Sequence, residues 1–219
     1  MIKRIILFPV IFFLILTNLK AQEERLVEIT TTMGKMVIKL YNETPKHRDN
    51  FIQLAEQEFF NGQLFHRVIN NFMIQGGDPN SKNASKGEML GMGGPGYTVP
   101  AELTPGLYHK KGALAAARQG DAVNPDKESS GSQFYIVQGQ VYSREQLQAF
   151  VSGGRHKPFT EKEITDYTTI GGTPHLDDSY TVFGEVIEGL DLIDKLAAVP
   201  VDSYNRPLED IVFSVRIIR

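Results

Sequence analysis

Short runs of alternating apolar and polar residues recur along the chain, and this pattern predicts a mainly β domain. Residues 26–32 alternate, Met33-Gly34 marks a turn, and residues 35–41 continue as a second strand, which is the pattern of a β-hairpin. Residues 211–218 alternate again and are expected to form the closing strand. The pattern therefore predicts strands at both ends of the globular part of the chain.

Two longer segments have helical periodicity instead. Pro45 to about Gln57 carries apolar residues at helical spacing, and Thr44 stands where a side chain can cap the first turn. A second helix is expected to open at Glu188-Gly189 and to end near Pro200.

The first residues have the layout of a secretory signal. Lys3-Arg4 form a basic start, Ile5 to Leu16 is an apolar run too short to span a membrane comfortably, and Ala21 suits the position before a cleavage site. We therefore expect residues 1–21 to be a signal peptide and residues 22–219 to form the exported domain. The alternative is an uncleaved anchor, the one case in which we expect contact with a membrane. The expected compartment is a bacterial periplasm, and a secretory route in another cell type is the alternative.

The charge balance of the chain argues against nucleic acid as a partner. Residues 1–21 contain three basic residues, Lys3, Arg4 and Lys20, and no acidic ones. Their removal takes the formal net charge from −3 to −6. Nucleic-acid binding requires a basic face, so this balance favours a soluble exported protein, which we expect to be a monomer.

Cofactor chemistry finds no support in the residue types present. The chain has no cysteine, so it has neither a disulfide framework nor a lipid attachment site of that kind. Its five histidines show no metal-ligand spacing, and it contains no nucleophile elbow or phosphate-binding glycine loop. We expect no metal and no cofactor.

The densest group of polar and aromatic residues lies at residues 65–78. Two strand-like runs flank Asn70-Asn71, so a hairpin would bring Arg67 close to Gln75, and Gly76-Gly77 would let the backbone turn sharply at its end. Two further stretches, residues 131–137 and 176–186, have the same mixture of polar and aromatic residues.

These three stretches, in this order, resemble the cyclophilin signature, and the resemblance covers nearly all of residues 25–219 apart from insertions. It implies a closed eight-stranded antiparallel β-barrel capped by two α-helices. It also implies peptidyl-prolyl cis–trans isomerase activity on X-Pro bonds of peptides and of unfolded or folding proteins. A single short motif would be weak support, whereas three long stretches in the family's order are specific.

The resemblance also implies roles for individual residues. Arg67 would be the catalytic donor and Gln75 the residue that orients it. The substrate-binding residues would be Phe72, Met73, Ala117, Arg118, Gln133, Tyr135, His175, Leu176 and Tyr180. Among these, Tyr135 stands where the family usually has Phe, so it would add a hydroxyl to the pocket, and His175 stands where animal cytosolic members have Trp.

Residues 139–172 are a long insertion relative to the compact family pattern. Ser143 with Gln146, and Thr160 with Glu163, have the spacing of capping boxes, which predicts two short helices. The insertion could be a decorative loop, or it could be a lid or specificity element, because it leaves and rejoins the chain between two motif stretches.

Two alternatives compete with the enzyme. One is a catalytically weak module that binds proline-containing peptides, or a holdase for unfolded exported chains, and it would use the same barrel and pocket. The other is a structural β-barrel without a site, which would not explain three polar and aromatic stretches in the family's order. Inactive relatives tend to lose the arginine at the position of Arg67, and this chain retains it. Retention of Arg67 and Gln75 therefore favours the enzyme.

Overall fold

The computed structural model describes residues 24–219, and most of its strands join one large antiparallel sheet. The predicted signal peptide lies outside the described residues. In chain order the strands are β1 Arg25–Thr31, β2 Gly34–Leu40, β3 Gln63–Leu64, β4 Arg67–Ile69, β5 Met73–Gly76, β6 Thr98–Val99, β7 Ala113–Ala116, β8 Ser129–Ser130, β9 Phe134–Val137, β10 Val182–Glu188 and β11 Val212–Ile217. The predicted hairpin, closing strand and mainly β class are confirmed.

The large sheet has nine strands in the order β3-β11-β1-β2-β10-β7-β9-β5-β4, and β6 pairs separately with β8. The prediction of a hydrogen-bonded closed barrel of eight strands is therefore inexact. The two edge strands, β3 and β4, are separated in the chain by Phe65 and His66 alone, so the backbone itself joins the two edges of the curled sheet. Strands of two or three residues leave no period in a sequence, which is why the strand count was wrong.

Four α-helices accompany the sheet: α1 Pro45–Glu56, α2 Arg144–Ser152, α3 Glu161–Thr169 and α4 Leu190–Ala197. Helices α1 and α4 bury apolar side chains against the main core, where Phe51, Phe60, Phe134 and Phe213 meet edge to face or stacked. Within residues 24–219, no helix has the length and apolar character to cross a membrane.

Helix α1 is capped by a distant residue. Thr44 occupies the expected N-cap position, but its side chain makes no cap hydrogen bond. The carboxylate of Glu102 instead accepts hydrogen bonds from the backbone N–H groups of Lys46 and His47, at 3.1 and 3.0 Å. An acidic group at this end is favoured because the helix dipole is positive there.

The insertion contains the two predicted helices, α2 and α3, each opened by its predicted capping box. Its apolar side chains form a separate small core in which Leu147 and Tyr167 are buried together with Tyr108, a residue from outside the insertion. The insertion is therefore packed against the barrel and is more than a loop on its surface.

Strand register creates the site. Arg67 of β4 pairs with Gln75 of β5, Gln75 pairs with Tyr135 of β9, and Tyr135 pairs with Ala115 of β7. These four residues therefore form one row across four adjacent strands, and directly paired residues point to the same side of a sheet. At the end of β5, Gly77 has φ +93°, and a Cβ there would collide with a backbone carbonyl, so only glycine fits.

Candidate functional site

A cleft of about 380 Å³ opens above this row of paired residues. The structure brings nine of the eleven expected site residues to its lining: Arg67, Phe72, Met73, Gln75, Ala117, Arg118, Tyr135, Leu176 and Tyr180. Gln133 lines an adjoining groove that shares Gln75, Ala117 and Arg118 with the cleft. His175 lines neither the cleft nor this groove and instead stacks on Phe72, with ring centroids 5.6 Å apart.

A directed chain of hydrogen bonds fixes the guanidinium of Arg67. Its Nη1 donates to Gln75 Oε1 at 3.1 Å, and Gln75 Nε2 donates to Gln133 Oε1 at 3.0 Å. Gln133 Nε2 then donates to the carbonyl oxygens of Gly91 and Gly93, at 2.9 and 2.7 Å. Because a guanidinium only donates and carbonyls only accept, both amides can have one orientation only.

This series of hydrogen bonds also constrains the role expected for Gln133. Both hydrogens of its amide nitrogen point at carbonyls of the loop at Gly91 and Gly93, and its oxygen receives Gln75. A peptide could reach Gln133 only at the second lone pair of its oxygen or by displacing one of those carbonyls. The geometry therefore places Gln133 in the support of Arg67.

The opposite wall of the cleft is apolar. Met73, Tyr135 and Val182 are buried in a hydrophobic cluster of their own, against which Phe72, Leu176 and Tyr180 pack from the cleft side. Partial burial among these groups lowers the pKa of Arg67. A guanidinium nevertheless remains charged throughout the physiological range. The cleft thus presents a fixed cationic donor beside an apolar wall.

Arg118 supports the cleft with its side chain. Its Nε donates to the carbonyl of Ser179 at 2.8 Å, its Nη1 pairs with Asp121 at 2.6 Å, and its guanidinium lies 4.4 Å from the ring centroid of Tyr180. These contacts tie Tyr180 in place. The N–H of Ala117 donates to the carbonyl of Gln133, so a peptide bound here would use the main chain of Arg118 more readily.

The hydroxyl of Tyr135 does not extend the pocket as the sequence suggested. It hydrogen-bonds to Nε2 of the buried His109 at 2.9 Å, and the rings of Tyr135 and His109 stack with centroids 6.0 Å apart. Burial raises the pKa of Tyr135 well above its usual value, so the phenol keeps its proton. Tyr135 therefore lines the cleft with its aromatic ring, while its hydroxyl is bonded to His109.

Several lining residues were missed by the sequence analysis. They are His66, Asp202, Tyr204, Arg206 and residues 87–91. Arg206 is buried and donates to the carbonyls of Ala84 and Ser85, at 3.3 and 2.8 Å, which holds the loop before residue 87 against the cleft. A lone arginine in a polar turn has no sequence signal for such a role, because its acceptors are more than a hundred positions away.

No metal centre is indicated by the described residues. Among residues 24–219, no three acidic or histidine side chains are grouped so that they could hold an ion.

The comparisons with known proteins agree on one family. A model described as cyclophilin type peptidyl-prolyl cis–trans isomerase/CLD matches residues 26–216. A Staphylococcus saprophyticus protein, assigned provisionally as a peptidyl-prolyl cis–trans isomerase, is 36% identical over 207 residues, which is 92% of this chain and 95% of the relative. A Staphylococcus aureus relative with the same assignment is 36% identical over 195 residues, or 87% of this chain and 90% of the relative.

Solved structures show the same fold. A crystal structure of a Cryptosporidium parvum cyclophilin type peptidyl-prolyl cis–trans isomerase superposes with a TM-score of 0.64 at 24% identity, covering 90% of this chain and 99% of that one. A second structure of that protein, in the presence of the dipeptide Ala-Pro, superposes with a TM-score of 0.62, also at 24% identity, covering 89% and 99%.

The burial of His66 predicts a loss of stability in mild acid. Its side chain is 4% exposed, and burial, only partly offset by Asp78, lowers its pKa from 6.5 to about 4. Between these values the unfolded chain binds a proton that the folded chain excludes, so the free energy of unfolding must fall as the pH falls. We expect His66 alone to account for about 3 kcal/mol, at about 1.4 kcal/mol per pKa unit.

Urea titrations at several pH values between 4 and 6.5 will test this, with His66→Gln as the comparison. Burial also lowers the pKa of His47 and His175, and these groups contribute equally to both proteins. The difference between the two pH profiles therefore isolates His66. Parallel profiles would contradict the assignment.

Proposed function

The chain belongs to the cyclophilin family of peptidyl-prolyl cis–trans isomerases, and we propose that Arg67 is the group that acts on the rotating X-Pro bond. The observation that carries this proposal is a series of hydrogen bonds that runs in one direction. It starts at Arg67, passes through Gln75 and Gln133, and ends at the carbonyls of Gly91 and Gly93. It holds one cationic donor rigidly beside the apolar wall of the cleft.

The reaction needs a directed donor rather than a nucleophile. Rotation about a peptide bond is opposed by about 18–20 kcal/mol, because the C–N bond has partial double-bond character. As the bond twists, the lone pair of the proline nitrogen becomes localised and can accept a hydrogen bond from Arg67. This bond is strong in the twisted state and weak in the planar one, and only such a difference raises the rate.

The remaining side chains would hold the peptide. We assign the proline ring to the apolar wall formed by Phe72, Met73, Tyr135 and Leu176, with Tyr180 at its edge. Apolar walls lower the local dielectric constant, which strengthens the interaction of Arg67 with the proline nitrogen. The Ala-Pro dipeptide in the C. parvum structure supports a proline-containing peptide as the ligand.

Unfolded protein segments are the proposed physiological clients. Four large apolar side chains are between 72% and 82% exposed, and no other large apolar side chain of residues 24–219 is exposed to this extent. We call these four residues the rim: Met89, Met92, Val123 and Tyr204. All four line the cleft or the adjoining groove. Flexible methionines suit partners of varied sequence, so the rim favours extended chains with apolar residues beside the proline.

Arg67→Lys should separate directed hydrogen bonding from simple charge. A lysine ammonium is more strongly hydrated and lacks the planar fork that Gln75 holds. We expect turnover to fall roughly 10–1000-fold, the range for loss of one preorganised donor. Peptide affinity should change little, because the apolar wall is untouched. Exchange spectroscopy of the cis and trans peptide measures turnover, and calorimetry measures binding.

The matched control is Arg144→Lys, which makes the same replacement at an exposed position on α2 and should leave turnover unchanged. Turnover should fall at least as far in Arg67→Ala as in Arg67→Lys, and it should fall less far in Gln75→Ala. Near-native turnover in Arg67→Lys would show that charge alone suffices. Joint loss of binding and turnover would make Arg67 a ground-state anchor and favour the peptide-holding module.

The rim should matter for long clients only. We expect the double variant Met92→Ser with Val123→Ser to turn over a tetrapeptide normally and to bind a longer peptide, with Leu and Phe on both sides of the proline, roughly tenfold more weakly through lost apolar burial. The control is Val141→Ser with Leu208→Ser, since those side chains are 58% and 51% exposed away from the cleft. If both double variants weaken binding of the longer peptide equally, the rim is not a binding surface for long clients.

We further propose that residues 1–21 direct export to a periplasm and are removed. The basic start and the short apolar run support this proposal. The intact mass of the protein from its producing cells should match residues 22–219 in the soluble fraction after osmotic release of the periplasm. A full-length mass in the membrane fraction would instead establish the uncleaved anchor.

A further inference from the structure

Asp177 is a buried carboxylate at which the insertion and the barrel meet. Its side chain is 3% exposed and follows directly on Leu176, a residue of the cleft wall. One carboxylate oxygen accepts from the backbone N–H and from Nδ1 of His109, both at 2.8 Å. The other accepts from Tyr167 Oη at 2.6 Å and from His156 Nε2 at 3.1 Å. His109 belongs to the barrel, whereas Tyr167 and His156 belong to the insertion.

The two acceptors around His156 favour its charged form. Its Nε2 faces Asp177, and its Nδ1 lies 2.6 Å from the carbonyl oxygen of Lys157, so both hydrogen bonds are made only while both ring nitrogens carry a proton. Burial opposes this charge, but the hydrogen bonds to Asp177 and to that carbonyl outweigh it, and the pKa of His156 is raised. The bonds that Asp177 receives from His109, His156 and Tyr167 hold its pKa well below the usual value, against the effect of burial.

The hydrogen bonds of Asp177 extend to the cleft through His109. Because its Nδ1–H donates to Asp177, Nε2 is left as the acceptor for the hydroxyl of Tyr135, whose ring lines the cleft. Tyr180, on the same segment as Asp177, packs edge-on against both Tyr135 and His109, with centroids 6.0 and 6.4 Å away. Three residues of the cleft wall, Tyr135, Leu176 and Tyr180, thus depend on the position of Asp177.

The insertion does not act as a lid in this structure. None of its residues, 139–172, lines the cleft. Its side chains reach the segment that carries Leu176 at two points: His156 and Tyr167 bond to Asp177, and Lys157 pairs with Asp178 at 2.9 Å. Its main chain also contacts the wall, because the N–H of Gly139 donates to the carbonyl of Phe72 at 3.0 Å.

We propose that the insertion positions the apolar wall of the cleft through Asp177, with His156 and Tyr167 as positioning residues for peptide binding. This proposal rests on the proposed function of the cleft. His156 and Tyr167 hold Asp177 in position. Asp177 and His109 in turn hold Tyr135 and Leu176 in position. Tyr135 and Leu176 are part of the wall that receives the proline ring.

The main test measures coupling between the insertion and the wall. His156→Gln and Tyr167→Phe should each weaken binding of an X-Pro tetrapeptide about threefold to tenfold, the effect of one buried hydrogen bond. The exchange rate of the bound peptide should change less than about twofold, because Arg67 and its supports are intact. Tyr135→Phe cuts the route at its other end and should weaken binding similarly.

The double variant Tyr135→Phe with His156→Gln distinguishes positioning from general destabilisation. If both residues act along one route, the double variant should bind no more weakly than the poorer single variant, since linked residues are not additive. If the fold-loss of peptide affinity in the double variant equals the product of the fold-losses in the two single variants, the proposal is overturned. So would unchanged affinity in both His156→Gln and Tyr167→Phe.

A matched control exists on helix α1. His47 is buried like His156 and pairs with the carboxylate of Glu102 at 2.7 Å and with Ser129 Oγ at 2.9 Å, but it does not line the cleft. His47→Gln should lower the melting temperature and leave peptide affinity unchanged. A loss of affinity equal to that in His156→Gln would show that any buried histidine has this effect.

The wild-type protein offers a test that needs no variant. The groups facing His156 are Asp177, Asp178 and Lys157, which is itself paired with Asp178 at 2.9 Å, and the ring of Phe159, stacked at 3.8 Å. As the pH rises above the pKa of His156, the imidazolium loses a proton and one of its two hydrogen bonds. Peptide affinity should therefore weaken with rising pH in the wild type and stay flat in His156→Gln.

These outcomes remain distinct from failure of the proposed function. A wild-type protein that binds the tetrapeptide but does not isomerise it would refute catalysis and leave the positioning route measurable through affinity. A wild type that isomerises normally, with His156→Gln indistinguishable from it, would refute the route alone.

Discussion

The register of four paired strands determines which side chains meet in the cleft of this protein. Arg67, Gln75, Tyr135 and Ala115 pair in turn on β4, β5, β9 and β7, so a cation, an amide, an aromatic ring and a small residue follow one another on the same side of the sheet. A shift by one residue in any of these pairings would turn every side chain of that strand to the opposite face. Gly77, directly after β5, lets the chain turn at the end of this row, because a Cβ there would collide with the backbone carbonyl of Ser132.

Two networks of hydrogen bonds support this row of paired residues. The network of Arg67 begins at a group that only donates and finishes at carbonyls that only accept. The network of Asp177 begins at a carboxylate that only accepts and receives every donor around it. Buried networks whose polar groups are all satisfied make a structure rigid. The cleft is therefore preorganised before any peptide enters.

Features governed by nearby residues were predictable from the sequence. The capping boxes at Ser143 and Thr160 depend on a spacing of three, and the hairpin around Asn70-Asn71 depends on adjacent strands; both were found as expected. The cap of α1 by Glu102 and the meeting of Asp177 with His156 were missed. These pairs are brought together by the folded chain alone, and no local pattern marks them. The fold class and most cleft residues could be anticipated because the motif stretches carry them.

The junction of the sheet's two edges has a consequence for a protein that handles unfolded chains. Long unpaired strands act as templates on which other polypeptides add by backbone hydrogen bonding, and this is a common route to aggregation. Here the outermost strands are β3 and β4, two and three residues long, and the chain passes from one to the other through Phe65 and His66. An extended client would find little exposed strand to extend in this sheet, so its productive contact would be the cleft, where it can also leave again.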